Sequence, residues 1–395
     1  MNHWPRIALG ELLRPADEPV SVRKDGTYPN FGIYSYGRGL FAKPAIGGMT
    51  TSASVLRRVR SGNFIYSRLF AFEGSYGIVD DAFDGHYVSN EYPSFDLDMT
   101  RLLPGFVKAY FQLPSVWKSI AMGSKGVGSR RIRVHPDKVL AHKMPLPALD
   151  VQRAIIARLD ALAERTRQLA NHLDAMEADA KHLLALAFHD AIANVPYLPM
   201  ADVAPLVRRE VVVDSEGRYP ELGIRSFGKG TFHKPEVSGL EIGTKRLYRI
   251  EPGDLVFSNV FAWEGAIAIA KPQDIGRVGS HRFMTCVVDS RKIAADLLHY
   301  YFLSPEGMEK IRAASPGGAG RNRTLGVEKL MQLTVPVPSM ALQRKFQVLQ
   351  AKIVELRTEH DAVRNAKAAL LPAVLERVFN NRGVEEESMI DVAAT

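Results

Sequence analysis

The chain is written twice. Tyr28-Pro29 recurs as Tyr219-Pro220, and Gly32-Ile33-x-Ser35-x-Gly37-x-Gly39-x-Phe41-x-Lys43-Pro44 recurs as Gly223-Ile224-x-Ser226-x-Gly228-x-Gly230-x-Phe232-x-Lys234-Pro235. The offset is 191 residues, and it holds again at Phe70-Ala71-x-Glu73-Gly74 against Phe261-Ala262-x-Glu264-Gly265. Pro145-x-Pro147 with Gln152-Arg153 likewise answers Pro336-x-Pro338 with Gln343-Arg344. From 28 to 74, 19 of 47 positions are identical without a gap, where unrelated sequences of average composition give roughly one in fifteen. Two copies of one folding unit therefore fill the chain, and such a protein presents two similar working surfaces. A single active site rarely needs a second scaffold. A partner read in two places does.

At 395 residues the chain suits several domains rather than one core. One cysteine, Cys286, excludes an intramolecular disulfide and argues against a cysteine-based zinc site. No apolar run approaches the roughly 18 residues of a membrane helix, and the start, Met1-Asn2-His3-Trp4-Pro5-Arg6, lacks the apolar stretch of a signal peptide. The expected location is the cytoplasm. Net charge of +8 favours a polyanionic partner. The cations cluster at Arg57-Arg58-Val59-Arg60 and at Ser129-Arg130-Arg131-Ile132-Arg133, followed by Lys138 and Lys143. In the second copy they gather at Lys245-Arg246 with Arg249 and at Gly320-Arg321-Asn322-Arg323.

Each copy has a mixed front part and a helical back part. Strand-like runs such as Asn63–Ser67 and Asp254–Ser258 alternate with Gly-rich turns, and helical stretches are expected near Leu103–Phe111 and Ala294–Phe302. This predicts an α+β domain over 1–148 and a second over 191–339. Over 149–190, Ile155, Leu159, Leu162, Thr166, Leu169, Leu173, Met176, Ala180, Leu183 and Ala187 keep alternating steps of four and three, a heptad seam. Over 340–381, Phe346, Leu349, Ile353, Leu356, Val363 and Leu370 keep the rhythm, with His360 and Lys367 at seam positions. Pro372 is expected to kink this helix or end its first segment. Two separate surface helices are one reading. Matching lengths at matching repeat positions favour an antiparallel coiled-coil pair, with 382–395 a mobile polar tail.

Catalytic signatures are missing. Gly37-Arg38-Gly39 lacks the helix-opening glycine of a dinucleotide loop, and no GxxxxGK[ST], HExxH, GxSxG, NPPY or DPPY occurs. Glu73 and Glu264 are the repeated acids of interest. A carboxylate beside an aromatic could be a general base, but no partner acid, nucleophile or metal cluster recurs with it. The expected role is a turn carboxylate that fixes a loop by accepting backbone N–H groups.

Recognition is sought where the copies agree and where they differ, because phosphates are alike on any sequence and base edges are not. Lys43 with Lys234, Arg130 with Arg321, and Arg38 with Lys229 keep their charge and suit phosphate, or solvated surface. Tyr34 against Arg225, Arg68 against Asn259, Asn90-Glu91 against His281-Arg282, and Arg131 against Asn322 change hydrogen-bonding character. Arg pairs bidentately with guanine and Asn with adenine, so Arg68 and Asn259 could read different bases. Drift on exposed loops is the alternative for any one pair. As a set, with Arg133 and Arg323 beside them, they point to a target whose halves differ.

Together these features resemble the specificity subunit of Type I restriction-modification systems, over residues 1 to about 381. The motif lies where domain meets helix, at Met144-Pro145-Leu146-Pro147-Ala148-Leu149-Asp150-Val151-Gln152-Arg153 and Val335-Pro336-Val337-Pro338-Ser339-Met340-Ala341-Leu342-Gln343-Arg344. The family usually has Glu before that Gln; here Val151 and Leu342 stand there. The resemblance implies two target-recognition domains on a pseudo-twofold repeat, held by two spacer helices and reading a bipartite duplex DNA site. It also implies docking of two methyltransferase subunits carrying S-adenosylmethionine and of a nuclease-translocase subunit using ATP, with no cofactor and no catalysis in this chain. A protein-interaction scaffold that binds no DNA, and less readily a DNA-modifying enzyme, are the competing classes.

Overall fold

A computed structural model describes residues 4–122, 133–317 and 323–380. Arg130, Arg131, Arg321, Asn322 and the tail 382–395 lie outside the described residues. The chain divides into two compact units, one of residues 1–173 with 360–395, the other of 174–359.

Each unit is built on a four-stranded antiparallel sheet. In the first the strand order is Leu13–Pro15, Ser94–Leu97, Phe64–Tyr66, Tyr76–Ile78. In the second it is Leu206–Val207, Phe283–Cys286, Leu255–Ser258, Ile267–Ile269. The register repeats with the sequence. Phe95 opposes Pro15 and Phe64, and Cys286 opposes Leu206 and Leu255. A long hairpin, Thr27–Ile33 with Leu40–Gly47, recurs as Arg218–Ile224 with Thr231–Ser238, each with an irregularity near its base. The expected short helices are present at Pro104–Tyr110 and Ala295–Leu303, both burying aromatics against the sheet.

Two long helices, Leu149–Ile192 and Met340–Asn380, run from one unit into the other. In the first unit the start of one (Ile155, Leu159) shares a core with the end of the other (Leu371, Leu375, Phe379). In the second unit Leu184 and Phe188 share a core with Phe346, Leu349 and Ile353. Opposite ends meet in each unit, so the pair is antiparallel.

The seam residues need correction. Ile155, Leu159, Leu162, Thr166, Leu173, Ala180 and Ala187 are covered as expected, but Leu169, Met176 and Leu183 are exposed, and Ala170, Glu177, Leu184 and Phe188 are covered beside them. In the second helix His360 and Lys367 are covered at their seam positions, but Val363 and Leu370 are exposed, and Arg364, Leu371 and Leu375 are covered beside them. The reason is geometric: a helix that is not wound down to 3.5 residues per turn drifts about 20° per heptad, so the covered stripe follows a 3.6-residue period. At Pro372 the second helix does not end but continues, and Leu375 and Phe379 resume a buried face beyond it. An internal proline costs about 3 kcal/mol. Burying Leu375 and Phe379, at about 2 kcal/mol or more each, offsets that.

One residue joins domain to helix in each unit. The Gln152 side chain is fully buried; its Nε2 donates to the carbonyls of Arg101 (2.8 Å) and Pro147 (2.9 Å), and its Oε1 accepts from Leu103 N (2.9 Å). Gln343 repeats this with Lys292 O (2.8 Å), Pro338 O (2.8 Å) and Ala294 N (2.7 Å). The preceding Val151 packs against the first core, which accounts for an apolar residue there.

Candidate nucleic-acid interface

The hairpin tip is fixed by the loop that follows the central strand. Tyr36 N donates to Glu73 O (2.8 Å) and Gly37 N to Gly74 O (2.9 Å). Phe227 N and Gly228 N make the same bonds to Glu264 O (2.8 Å) and Gly265 O (2.9 Å). The two repeated carboxylates accept from serine hydroxyls rather than from backbone N–H groups: Ser35 Oγ lies 3.2 Å from Glu73 Oε2, and Ser226 Oγ 3.1 Å from Glu264 Oε2. The hairpin serine reaches the carboxylate, and backbone carbonyls serve the N–H groups instead. Position 37 needs glycine twice over, since its φ is +64° and a Cβ would lie 3.0 Å from Gln112 Cα.

A second pair of bonds places Arg68 and Asn259. Arg68 N donates to Glu91 O (2.9 Å), and Arg68 O accepts from Val134 N (3.0 Å). Asn259 N donates to Arg282 O (2.8 Å), and Asn259 O accepts from Leu325 N (2.8 Å). The hairpin tip, the 67–74 loop, the 89–92 turn and residue 133 therefore form one surface in the first unit, and their repeats form one in the second.

On the first surface Tyr34 packs on Phe41 at 4.3 Å, and the Arg38 guanidinium lies 5.2 Å from the Tyr34 ring and 5.8 Å from the Tyr36 ring. Lys43 is exposed beside Phe41 and Tyr92. Arg133 pairs with Glu91 at 3.1 Å, and Asn90 accepts from Arg57 at 3.0 Å. On the second, Arg225 takes the place of Tyr34 over the equivalent Phe232, at 4.9 Å. Lys229 lies 5.9 Å from the Phe227 ring and Arg323 5.6 Å from the Trp263 ring. His281 and Arg282 are exposed on the turn before Phe283. Lys234 differs from Lys43, because its Nζ lies 3.5 Å from Glu221 Oε2, where the first copy has Asn30.

The cation cluster at 57–60 belongs to the scaffold. Arg57 pairs with Asp17, Arg58 with Glu18 (3.3 Å) and the Tyr87 hydroxyl (2.8 Å), and Arg60 with Glu18 (3.0 Å). Linear clustering could not reveal this, since Asp17 and Glu18 are distant in sequence. Two exposed aromatics, Tyr36 and Phe227, were missing from the residues expected at the surface. Their signal was present: the variable position before Gly37 and Gly228 holds an aromatic in both copies.

Five buried side-chain polar atoms among the described residues have no hydrogen-bond partner, and they include Arg68 Nε and Asn259 Oδ1. These residues are equivalent in the repeat. Glu91 Oε2, beside Arg68, is a third. An orphaned buried polar group costs about 1–3 kcal/mol.

No protein-family model and no curated protein matches the chain. Solved structures do. The HsdS subunit from Thermoanaerobacter tengcongensis aligns with a TM-score of 0.62 at 18% identity, over 95% of this chain and 96% of that one. A chain from a study of complex assembly and conformational transition in the type I R-M system aligns with a TM-score of 0.68 at 18% identity, over 95% and 97%. This chain has the HsdS fold. Within that fold, the repeated lobes and the two long helices account for its mixed α+β character. No helix among the described residues is long and apolar enough to cross a membrane.

Proposed function

We propose that the chain is the DNA-reading subunit of a Type I restriction-modification complex, binding a bipartite and asymmetric duplex site. Residues 1–148 would read one half and 191–339 the other. The observation that carries this is the pair Arg68 and Asn259. One scaffold position, set by the same backbone bonds in both units, holds a donor in one copy and an amide in the other, each with a buried polar atom unpaired. Both side chains are partly exposed at the same place on the repeated frame and differ in hydrogen-bonding character, as readers of two different half-sites would.

The exposed cations beside the hairpin rings, Arg38, Lys43 and Lys229, suit phosphate contacts that position the duplex without reading it. The chain carries no cofactor in this proposal. Two methyltransferase subunits would bring S-adenosylmethionine, and a nuclease-translocase subunit would bring ATP. The long helices would serve as their docking rod and as the spacer between half-sites.

The test is to map the methylated motif of the genome with and without this chain, and to titrate the chain with duplex at several salt concentrations, methyltransferase present. A bipartite motif that vanishes with the chain, and binding that weakens as salt rises, are expected. Absence of salt-dependent duplex binding would leave a protein scaffold as the better reading.

A further inference from the structure

We infer that Tyr36 and Phe227 are ring contacts to the bases of the duplex, one in each half-site. This rests on the DNA-reading proposal above and adds residues and a mode of contact to it.

The backbone gives the first reason. Among the described residues only Tyr36, Phe227 and Asn194 have positive φ without being glycine, at 64°, 62° and 56°. Asparagine tolerates that region; a bulky aromatic there is an outlier. Gly37 and Gly228, each at φ 64°, follow directly. Two successive left-handed residues favour Asn-Gly. An aromatic stands in the asparagine place in both copies.

Core packing does not account for these rings. Tyr36 is 62% exposed and Phe227 75%. Tyr36 meets the edge of Trp117 at 6.2 Å, but the second copy has Met308 at that repeat position, so the partner the copies share is the exposed cation two residues on, Arg38 at 5.8 Å and Lys229 at 5.9 Å. The ring survives duplication while its hydroxyl does not, which identifies the face of the ring, and not a hydrogen bond, as the feature in use.

The surroundings say what the ring meets. Arg38 and Lys229 lie beside the rings, so the apolar contact is made within reach of phosphate. The bonds from residues 36, 37, 227 and 228 to the following loop tie each ring to the loop carrying Arg68 or Asn259. An aromatic ring next to a base-edge reader suits a thymine methyl or the face of a partly unstacked base. A polar protein surface offers no equivalent.

The experiment uses the full chain with its methyltransferase partner and a fluorescent duplex carrying the methylated sequence mapped for the wild type. Glycine is the informative substitution, because it removes the ring and relieves the left-handed backbone. Tyr36→Gly and Phe227→Gly are expected to unfold at or above the wild-type temperature and to bind about 10- to 100-fold more weakly. The slope of affinity against salt should stay unchanged, since a ring releases no counterions. Tyr36→Phe and Phe227→Tyr should bind within about twofold of wild type. Glycine variants that bind like wild type would overturn the inference and leave the DNA-reading proposal standing. A reduced salt slope would overturn it too, because the loss would then lie in Arg38 or Lys229. A wild-type chain that binds no duplex would remove both.

Discussion

The two units share a frame and differ in what fills it. The register across Pro15, Phe95 and Phe64 is repeated at Leu206, Cys286 and Leu255, and the Gln152 bonds are repeated by Gln343 within about 0.2 Å. The fillings differ. The first core packs Tyr66, Tyr76 and Phe95 together, where the second has Phe257, Ile267 and Cys286. Around the hairpin the first unit has separate two- and three-stranded sheets, whereas in the second a parallel bridge from Glu221 to Val278 joins them into five strands. The lesson is that backbone bonds hold the loops at the hairpin tip in place while side chains on both sides of the sheet are free to change. Such a frame can carry different surface side chains without being rebuilt.

The comparison breaks first at the glutamines. Gln152→Ala and Gln343→Ala each strand two carbonyls and one N–H in the interior, so each should cost about 3 kcal/mol or more. Chemical denaturation of the two variants measures this; clearly unequal losses would mean the frame is not common to both units.

Next come the proposed base contacts. Arg68→Ala should relax one half of the recognised sequence and Asn259→Ala the other, with about 1–3 kcal/mol of discrimination lost at a single position in each case. A panel of half-site variants separates the halves, and loss at both halves from one substitution would defeat the division of labour.

The acid response should distinguish the units more gently. Burial, reinforced by the nearby charge of Arg6, pushes His142 down to about 4, and Tyr110 holds its Nε2 at 2.8 Å. The second copy has Leu333 there, although burial also lowers its His299. The unfolded chain takes up the His142 proton more readily than the folded one. This contribution is therefore fully present above about pH 6.5 and is lost as pH falls towards 4. His142→Gln should flatten the fall in melting temperature across that window, and an unchanged slope would contradict the assignment.

The smallest effect separates two lysines. Lys43→Ala should weaken binding to all duplexes alike and lower the salt slope by about one. Lys234→Ala should do less, because Glu221 already balances its charge. Equal slopes for the two variants would show that the pairing opens on DNA.

Much of this was legible without coordinates where the signal is local or repeated. The duplication, the α+β character, the antiparallel pair and the Pro-x-Pro, Gln-Arg junction were all readable, because backbone periodicity and copied phrases survive in one dimension. The buried partners of Gln152 were not, since Arg101 and Leu103 lie about fifty residues away. Nor was the neutralisation of Arg57, Arg58 and Arg60 by Asp17 and Glu18, which strand pairing brings about.

By itself the sequence determined that one unit occurs twice, that each copy ends in a long helix, and at which positions the copies disagree. Tertiary structure alone decided which side of each helix is covered, because a drift of about 20° per heptad moves the stripe off the heptad leucines over several turns. It alone decided which cations remain free and which aromatics stand in a left-handed backbone, because both depend on what distant segments place alongside. Charge and strain are properties of neighbours in space, and a sequence names neighbours only along the chain.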